Sequence, residues 1–431
     1  MQLTTNANFR WLLRSGILSN LGDQFTLVAL PLLVLQLTAD PLALGTLLAL
    51  VGIPRAAFIL LGGAIVDRLS PRRVLVASKL ASAFLLAVLV LLVLNTRPVW
   101  AFSIEPLFSA AVHLTPRLEL GILYVLAFCL GLAQAFGIPA GTSILPAALP
   151  APLLEAANGA LMGLRQVALL LGPLLAACLV GASRHGLALA FAVDGASFLV
   201  SAWTVSRVTL AGAAPGRESA QTVLRALGAG LAMVWRDVPM RLCFLYWALV
   251  ALCVGGAMQV ALPVLAQAMP RGGALLGWFL GAHGAGTLLG MAAAALGGSR
   301  LAFASFGSTI LLADALAGLL VAPLGYVHGA WAVAALLLGV GALSGFLQLT
   351  IFTWLQRRVP PAMMGRTMSI FLFIFMGLAP LSTFGAGWLL TWLSVPRLFL
   401  AGGAVLVALA AAAWLFTPMR RIARGVELQS G

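Results

Sequence analysis

Twelve apolar stretches, each long enough to cross a bilayer, leave this chain little choice of fold. They run roughly over residues 11–37, 43–66, 74–95, 120–139, 158–180, 187–206, 241–268, 274–296, 303–325, 330–352, 367–390 and 397–417. A spanning helix needs about 20 apolar residues. In hydrocarbon every backbone polar group must be bonded internally, so such segments become helices or strands of a closed barrel. A barrel strand shows about ten residues of alternating polarity. These runs of Leu, Ala, Val and Gly do not alternate, so the expected fold is an all-α membrane protein with 12 transmembrane helices. Composition agrees. Hydrophobic residues make up 62% of the 431 and charged residues 8%, against roughly a quarter charged in a soluble domain.

The net charge of +14 raises the question of a nucleic-acid partner, and its placement answers it. With the chain started in the cytoplasm, eighteen Lys and Arg, Lys79 among them, fall to cytoplasmic segments and five to the opposite side. That is a positive-inside bias. The charge reports topology and contact with anionic membrane lipids, no nucleic acid is expected as a partner, and both termini are expected in the cytoplasm. The first stretch is too long for a signal-peptide core and reads as a retained helix. Cys129, Cys178, Cys243 and Cys253 all lie within spans, form no CxxC pair and read as buried small residues.

The longest polar interruption, 207–240, divides the chain into an N-terminal six-helix half (1–206), a cytoplasmic linker, a C-terminal six-helix half (241–417) and a cytoplasmic tail (418–431). Within the linker, 221–236 has helical spacing with Leu224, Leu227, Leu231 and Val234 on one side, the pattern of an amphipathic helix at the membrane surface. The halves are weakly self-similar. "LGTLLALVGIPRAAFILLGGAIVDR" (44–68) aligns with "LGWFLGAHGAGTLLGMAAAALGGSR" (276–300) at an offset of 232, and "LPAPLLEAAN" (149–158) with "VPPAMMGRTM" (359–368) at an offset of 210. The first half therefore carries an insertion, placed at 96–117, where Trp100, Phe102 and Phe108 are interface anchors or members of a tolerated loop. Parallel six-helix repeats are a transporter architecture with the substrate site near mid-bilayer.

Polar residues inside the spans are the candidate site. Asn20, Asp23 and Gln24 stand at i, i+3 and i+4 and share one helix face. Asp23 lies about 18 Å past Trp11 along the axis, a depth that Arg55 of span two also reaches. An opposite charge favours the ionised carboxylate and burial its neutral form, so Asp23 is a proton-coupling candidate or a structural partner of Arg55. Arg165 and Gln166 either meet a polar or anionic substrate or bond between helices. Asp194 stands seven residues into its span, near the outer surface by that count. Asp314 reads as a packing residue or a further proton-coupling candidate, and His283, in "GAHGAG", as a satisfied buried histidine or a proton carrier. There is no HExxH, no GxSxG at a plausible elbow and no Walker loop, so no enzyme, cofactor or metal site is expected. An ion gradient, most simply of protons, would supply the energy.

"GGAIVDRLSPRR" (62–73) resembles motif A of the major facilitator superfamily, G-x-x-x-D-R-x-G-R-R, through Gly63, Asp67 and Arg68, with Arg72 and Arg73 as the basic pair one place late. "LSNLGDQFTLVALPLLVLQLTADPLALG", "PAGTSILPAALP", "AANGALMGLRQVALLLGP" and "LQRRVPPAMMGRTMSIF" look like a bacterial branch of that superfamily, which holds enterobactin-type siderophore exporters, macrolide efflux proteins and transmembrane secretion effectors. The resemblance covers spans one to eleven. It implies the major facilitator fold, a monomer in the bacterial inner membrane, a small-molecule substrate and a cytoplasmic gate at Asp67 and Arg68 near span eleven. There Arg357, Arg358 and Arg366 are available to pair with Asp67 or Glu155. Gly159, Ala168, Gly172, Pro173, Ala176 and Ala177 stand at the positions of the exporters' motif C, with Ala replacing three of its glycines. The resemblance thus implies an efflux transporter that exports a small amphipathic molecule against proton entry. A lysophospholipid or other lipid transporter of the same fold and a non-transporting receptor or assembly protein are the alternatives.

Overall fold

The computed structural model describes residues 3–66, 70–95, 115–183, 185–210, 220–270, 272–297 and 305–423. Among them there is no strand. Fifteen α-helices follow one another: α1 Ala7–Thr38, α2 Pro41–Val66, α3 Pro71–Asn95, α4 Pro116–Ala148, α5 Ala151–Ala182, α6 Gly186–Ser206, α7 Ala220–Arg236, α8 Val238–Val250, α9 Gly256–Gln267, α10 Gly272–Gly297, α11 Phe306–Val321, α12 Ala330–Arg358, α13 Pro361–Leu372, α14 Ala379–Leu389 and α15 Val395–Phe416. Wider π-helical turns at Ala251–Gly255 and Phe373–Gly377 join α8 to α9 and α13 to α14. Span seven is thus Val238–Gln267, and span eleven runs through Arg366–Leu389. Among the described residues eleven spans are long and apolar enough to cross a membrane, and α2 stands where the remaining expected span was placed.

The ends of the helices follow local chemistry. Asn6 caps α1 by accepting from the Phe9 N–H, Thr115 caps α4 with Pro116 behind it, and Asp237 caps α8 by accepting from the Met240 N–H. Each cap satisfies a backbone donor that the first helical turn leaves free. Pro139 and Pro146 do not end α4, which continues to Ala148, beyond the expected stop at 139. The apolar count ended there because Pro, Gly and hydroxyl residues dilute the sequence, yet the helix persists inside a bundle that packs it.

Contacts divide the chain into two units, Met1–Arg217 with Ala266–Gly277, and Glu218–Leu265 with Trp278–Gly431. In the first, α1 packs on α5 and α6, α3 on α4 and α6, and α2 on α4. Asn8 ties one end together, donating to the carbonyls of Ala148 at 2.9 Å and Thr209 at 2.8 Å. In the second, α11 packs on α12 and α15. An aromatic core of Phe244, Trp247, Phe306, Trp354 and Phe371 fills one end, with Phe306 stacked on Trp354 at 4.4 Å.

Small residues let the helices approach. A Cβ on Gly131 of α4 would lie 2.2 Å from the Val51 carbonyl oxygen of α2, and one on Gly341 of α12 would lie 2.1 Å from that of His283 in α10. Such contacts are the membrane form of close helix packing.

Two expectations change, and a third is refined. Helix α7 forms as expected with an amphipathic pattern, and its apolar residues differ in burial. Val234 is 3% exposed and packed in the second unit's core, while Leu231 is 54% exposed. The reason is α13, against which Gly230 sits close enough that a Cβ would meet Arg366 and Ile370. Cys178 and Cys253 are exposed, so only Cys243 of the four is fully buried. Lys79, counted as cytoplasmic, is 8% exposed inside the packing of α3. The 96–117 insertion falls, except for its last three residues, outside the described residues.

Candidate functional site

The polar face of α1 is real, and the structure gives it neighbours. Asn20 is half-buried and bonds back to the Gly16 carbonyl at 2.7 Å. Gln24 is buried against α5, where Gly172 makes room for it: a Cβ there would come 2.3 Å from Gln24 Cγ. Of the motif-C-like positions, Ala168, Gly172, Pro173, Ala176 and Ala177 are buried, whereas Gly159 is exposed with open space where a Cβ would be. Small residues on α5 therefore seat α1, and this seat orients the face that carries Asp23.

Asp23 lies half-buried within electrostatic reach of Arg55, Lys79 and Arg165. The expected direct pair with Arg55 is not made among the described residues. The Arg55 Nη2 group donates instead to Gln134 Oε1 of α4, and Arg55 Nε is buried with no partner. A side-chain amide at hydrogen-bond range holds the guanidinium without neutralising it. Asp23 and Arg55 thus form a charged layer without a salt bridge.

Asp194 is not near an outer surface. It is fully buried, accepting from the Thr26 hydroxyl of α1 and from Ser197 Oγ at 3.4 Å. It interacts electrostatically with Asp23 and Lys79. The Lys79 ammonium rests 5.5 Å over the Phe198 ring and is shared, in electrostatic terms, by the two carboxylates. A Cβ on Gly22 would lie 2.6 Å from Asp194 Oδ1, so α1 and α6 are in contact here. Two turns away the Ser15 and Ser201 hydroxyls share a 2.6 Å hydrogen bond. Buried charges in an apolar bundle persist only when paired or hydrogen-bonded, which accounts for the hydroxyls around Asp194.

Sequence reasoning missed Lys79, Gln134 and the burial of Asp194. The available signal was periodicity: Ser78, Lys79 and Ser82 are all buried residues of α3, polar positions that a lipid-facing or loop segment would not hide.

On α5, Arg165 is exposed and Gln166 half-buried. Asn158 and Met162 are exposed on Arg165's side of the helix, and Gly159 and Gly163 have nothing within 4 Å of a Cβ position. In the second unit Asp314 accepts from Tyr246 Oη at 2.9 Å. His283 is half-buried beside Gly341, and its carbonyl accepts from Thr287.

Of the motif A segment, Gly63 lies in the last turns of α2, while Asp67 and Arg68 fall outside the described residues. Arg73 is exposed, and Arg72 donates to the Val208 carbonyl at 3.0 Å, bracing the chain after α6. Arg358 has its partner within its own unit. It makes a bidentate bond to Asp237, at 2.9 and 3.1 Å, because the capping carboxylate of α8 stands beside the last turn of α12. Arg366 reaches Met363 Sδ, and Arg357 is exposed.

An all-helical multi-pass protein that keeps two carboxylates, a lysine and arginines inside one helix bundle is built to handle a polar or charged species within the membrane. The chain belongs to the Major Facilitator Superfamily, whose family model matches residues 12–384. It is a membrane transporter of that fold. Solved structures agree. The chain is similar to the nucleoside transporter NupG (14% identity, 96% of this chain and 98% of that one, TM-score 0.69). It is also similar to a bacterial homologue of the iron transporter ferroportin in an inward-facing state (17%, 94% and 98%, 0.67) and to the xylose transporter XylE from E. coli (15%, 95% and 96%, 0.65). At these identities the likeness is one of fold. Curated protein sequences give no significant match.

Proposed function

We propose that this transporter exports a small amphipathic molecule by alternating access in exchange for protons, with Asp23 as the proton-carrying carboxylate. One observation carries the reading. Asp23 stands within reach of three cations, Arg55, Lys79 and Arg165, yet among the described residues none of them is within ion-pair distance. A carboxylate in such a field can gain or lose a proton without breaking a salt bridge, and binding of a substrate beside it changes the balance. Lys79 answers to Asp23 and Asp194 together, so a proton arriving at Asp23 releases the ammonium toward Asp194.

The face of α5 that presents Asn158, Met162 and Arg165 offers an amide, a thioether and a guanidinium to one ligand, which suits an amphipathic molecule. The seat of Gly172 against Gln24 belongs to the motif-C-like element and supports export. Lys79 is internal, so seventeen of the original eighteen cations remain on the side of the termini, against five. That supports cytoplasmic termini in a bacterial inner membrane.

The test is efflux from energised vesicles, wild type beside Asp23→Asn, with a fluorescent amphipathic cation and an amphipathic anion as probes. The expected result is efflux driven by an imposed pH gradient and lost in the variant, with probe binding retained. Gradient-driven efflux unchanged in Asp23→Asn would remove Asp23 from coupling. Accumulation of the probe in place of efflux would reverse the proposed direction.

A further inference from the structure

The outer face formed by α1 and α6 carries a groove that the transport reading does not use. Its volume is about 340 Å³, and Trp11, Arg14, Ile17, Leu18, Val200 and Trp203 line it. Trp11 and Trp203 meet edge to face at 5.6 Å. Arg14 lies over the Trp11 ring at 4.9 Å and Arg207 over the Trp203 ring at 5.3 Å. The four side chains form one continuous ladder, cation, ring, ring, cation.

Both guanidiniums are exposed, and among the described residues neither has a carboxylate within ion-pair distance or a hydrogen-bond acceptor. Stacking uses the face of a guanidinium and leaves its in-plane N–H donors free, a fork that matches phosphate oxygens. Exposed guanidiniums stacked on rings and without a carboxylate partner are sites for an anion.

The chemistry below the ladder says which anion. Leu189, Val193, Val200, Trp203 and Arg207 are all exposed and recur at three-, four- or seven-residue steps, so they form one stripe along α6. The stripe passes from aliphatic through indole to guanidinium over about 27 Å at 1.5 Å per residue. A phospholipid has the same order along its length: acyl chain, ester region, phosphate. A soluble phosphate would need only the arginines, and a neutral lipid only the apolar wall.

We propose that the α1–α6 groove is a binding site for one anionic phospholipid, its headgroup on the Arg14–Trp11–Trp203–Arg207 ladder and an acyl chain lying along Ile17, Leu18 and Val200. The site is on the outer face of the first unit and is separate from the Asp23 layer, so the lipid is a bound companion and not the cargo. It holds whatever the transporter carries.

The experiment is native mass spectrometry of the full chain released from membranes that contain equal phosphatidylglycerol and phosphatidylcholine. Wild type should retain one phosphatidylglycerol, preferred over phosphatidylcholine by roughly five-fold or more, since each interfacial cation adds attraction for an anionic headgroup. The variant R14Q/R207Q should lose that preference while keeping its melting temperature. A control, R357Q/R421Q, removes the same charge at exposed positions elsewhere and should keep the lipid. Equal retention of the two lipids by wild type, retention by R14Q/R207Q, or loss by the control would each overturn the site. If R14Q/R207Q unfolds, W203F with Trp11 intact should still weaken retention, because it thins the ring under Arg207, and unchanged retention there would also overturn it.

Discussion

Gly341 lies against the His283 carbonyl as Gly131 lies against that of Val51, with Cβ clearances of 2.1 and 2.2 Å. The two pairs are equivalent by the sequence repeat. The offset of 232 carries Val51 to His283, and the offset of 210 carries Gly131 to Gly341. The same helix crossing has been kept in both halves, because only glycine allows it.

Gly341→Val and Gly131→Val should therefore each force two backbones apart. Overpacking of this kind costs about 1–3 kcal/mol or more. Gly121→Ala, where nothing lies within 4 Å of a Cβ position, should be neutral or slightly stabilising, since Ala is the better helix former. Thermal unfolding in detergent distinguishes them. A Gly341→Val protein that melts with the wild type would show that the crossing is looser than described.

Lys79→Met should destabilise, on the order of 3 kcal/mol, because it leaves the carboxylates of Asp23 and Asp194 facing each other without their shared cation. Adding Asp194→Leu should recover part of the loss, whereas independent sites would give additive losses. Unfolding midpoints in a denaturing detergent series, read as a double-mutant cycle, report the coupling. Strict additivity would mean that Lys79 and Asp194 do not interact.

Arg358→Met and Asp237→Asn remove the same bidentate contact at the junction of α12 and α8. Hydrogen bonds to charged groups contribute about 1.5–3 kcal/mol, and partial exposure lowers this toward the smaller figure. The double variant should be scarcely less stable than either single one. Proteolysis between α7 and α8 should quicken in all three, and an unchanged cleavage rate would separate the pair from the docking of α8.

Ser382 repairs the wider turn of span seven. It accepts from the Gly256 N–H at 2.6 Å and donates to the Leu252 carbonyl at 2.7 Å. Ser382→Ala orphans both groups in an apolar setting, a loss of about 1–3 kcal/mol, and Ser382→Thr should restore much of it if its methyl is accommodated. Hydrogen exchange at the Gly256 amide gives the readout. Protection unchanged in Ser382→Ala would mean that the turn is closed by other bonds.

Much of the fold was legible because its cause is local. Length and apolarity mark a span, and Asn6, Thr115 and Asp237 mark helix starts by their own side chains. The polar face Asn20–Asp23–Gln24 was legible from spacing. Its partners were not. Arg55 matches Asp23 in depth, yet a glutamine from α4 takes the guanidinium, and depth along an axis does not say which way a helix is turned. Lys79 and Asp194 sit near their helix ends by counting and were read as surface groups. They are buried because α1, α3 and α6 pack there, a fact carried by Gly22 and by the hydroxyls of Thr26 and Ser197.

The sequence by itself determined that the chain spans a membrane many times, that it repeats, and which helix faces are polar. These follow from solvation and helical period, which act on a segment alone. The tertiary structure decided which charges meet: Arg55 with Gln134, Asp194 with Thr26, Arg358 with Asp237. Side-chain pairing depends on helix rotation and on clearances of a few tenths of an ångström, and these are set by packing between segments far apart in the chain.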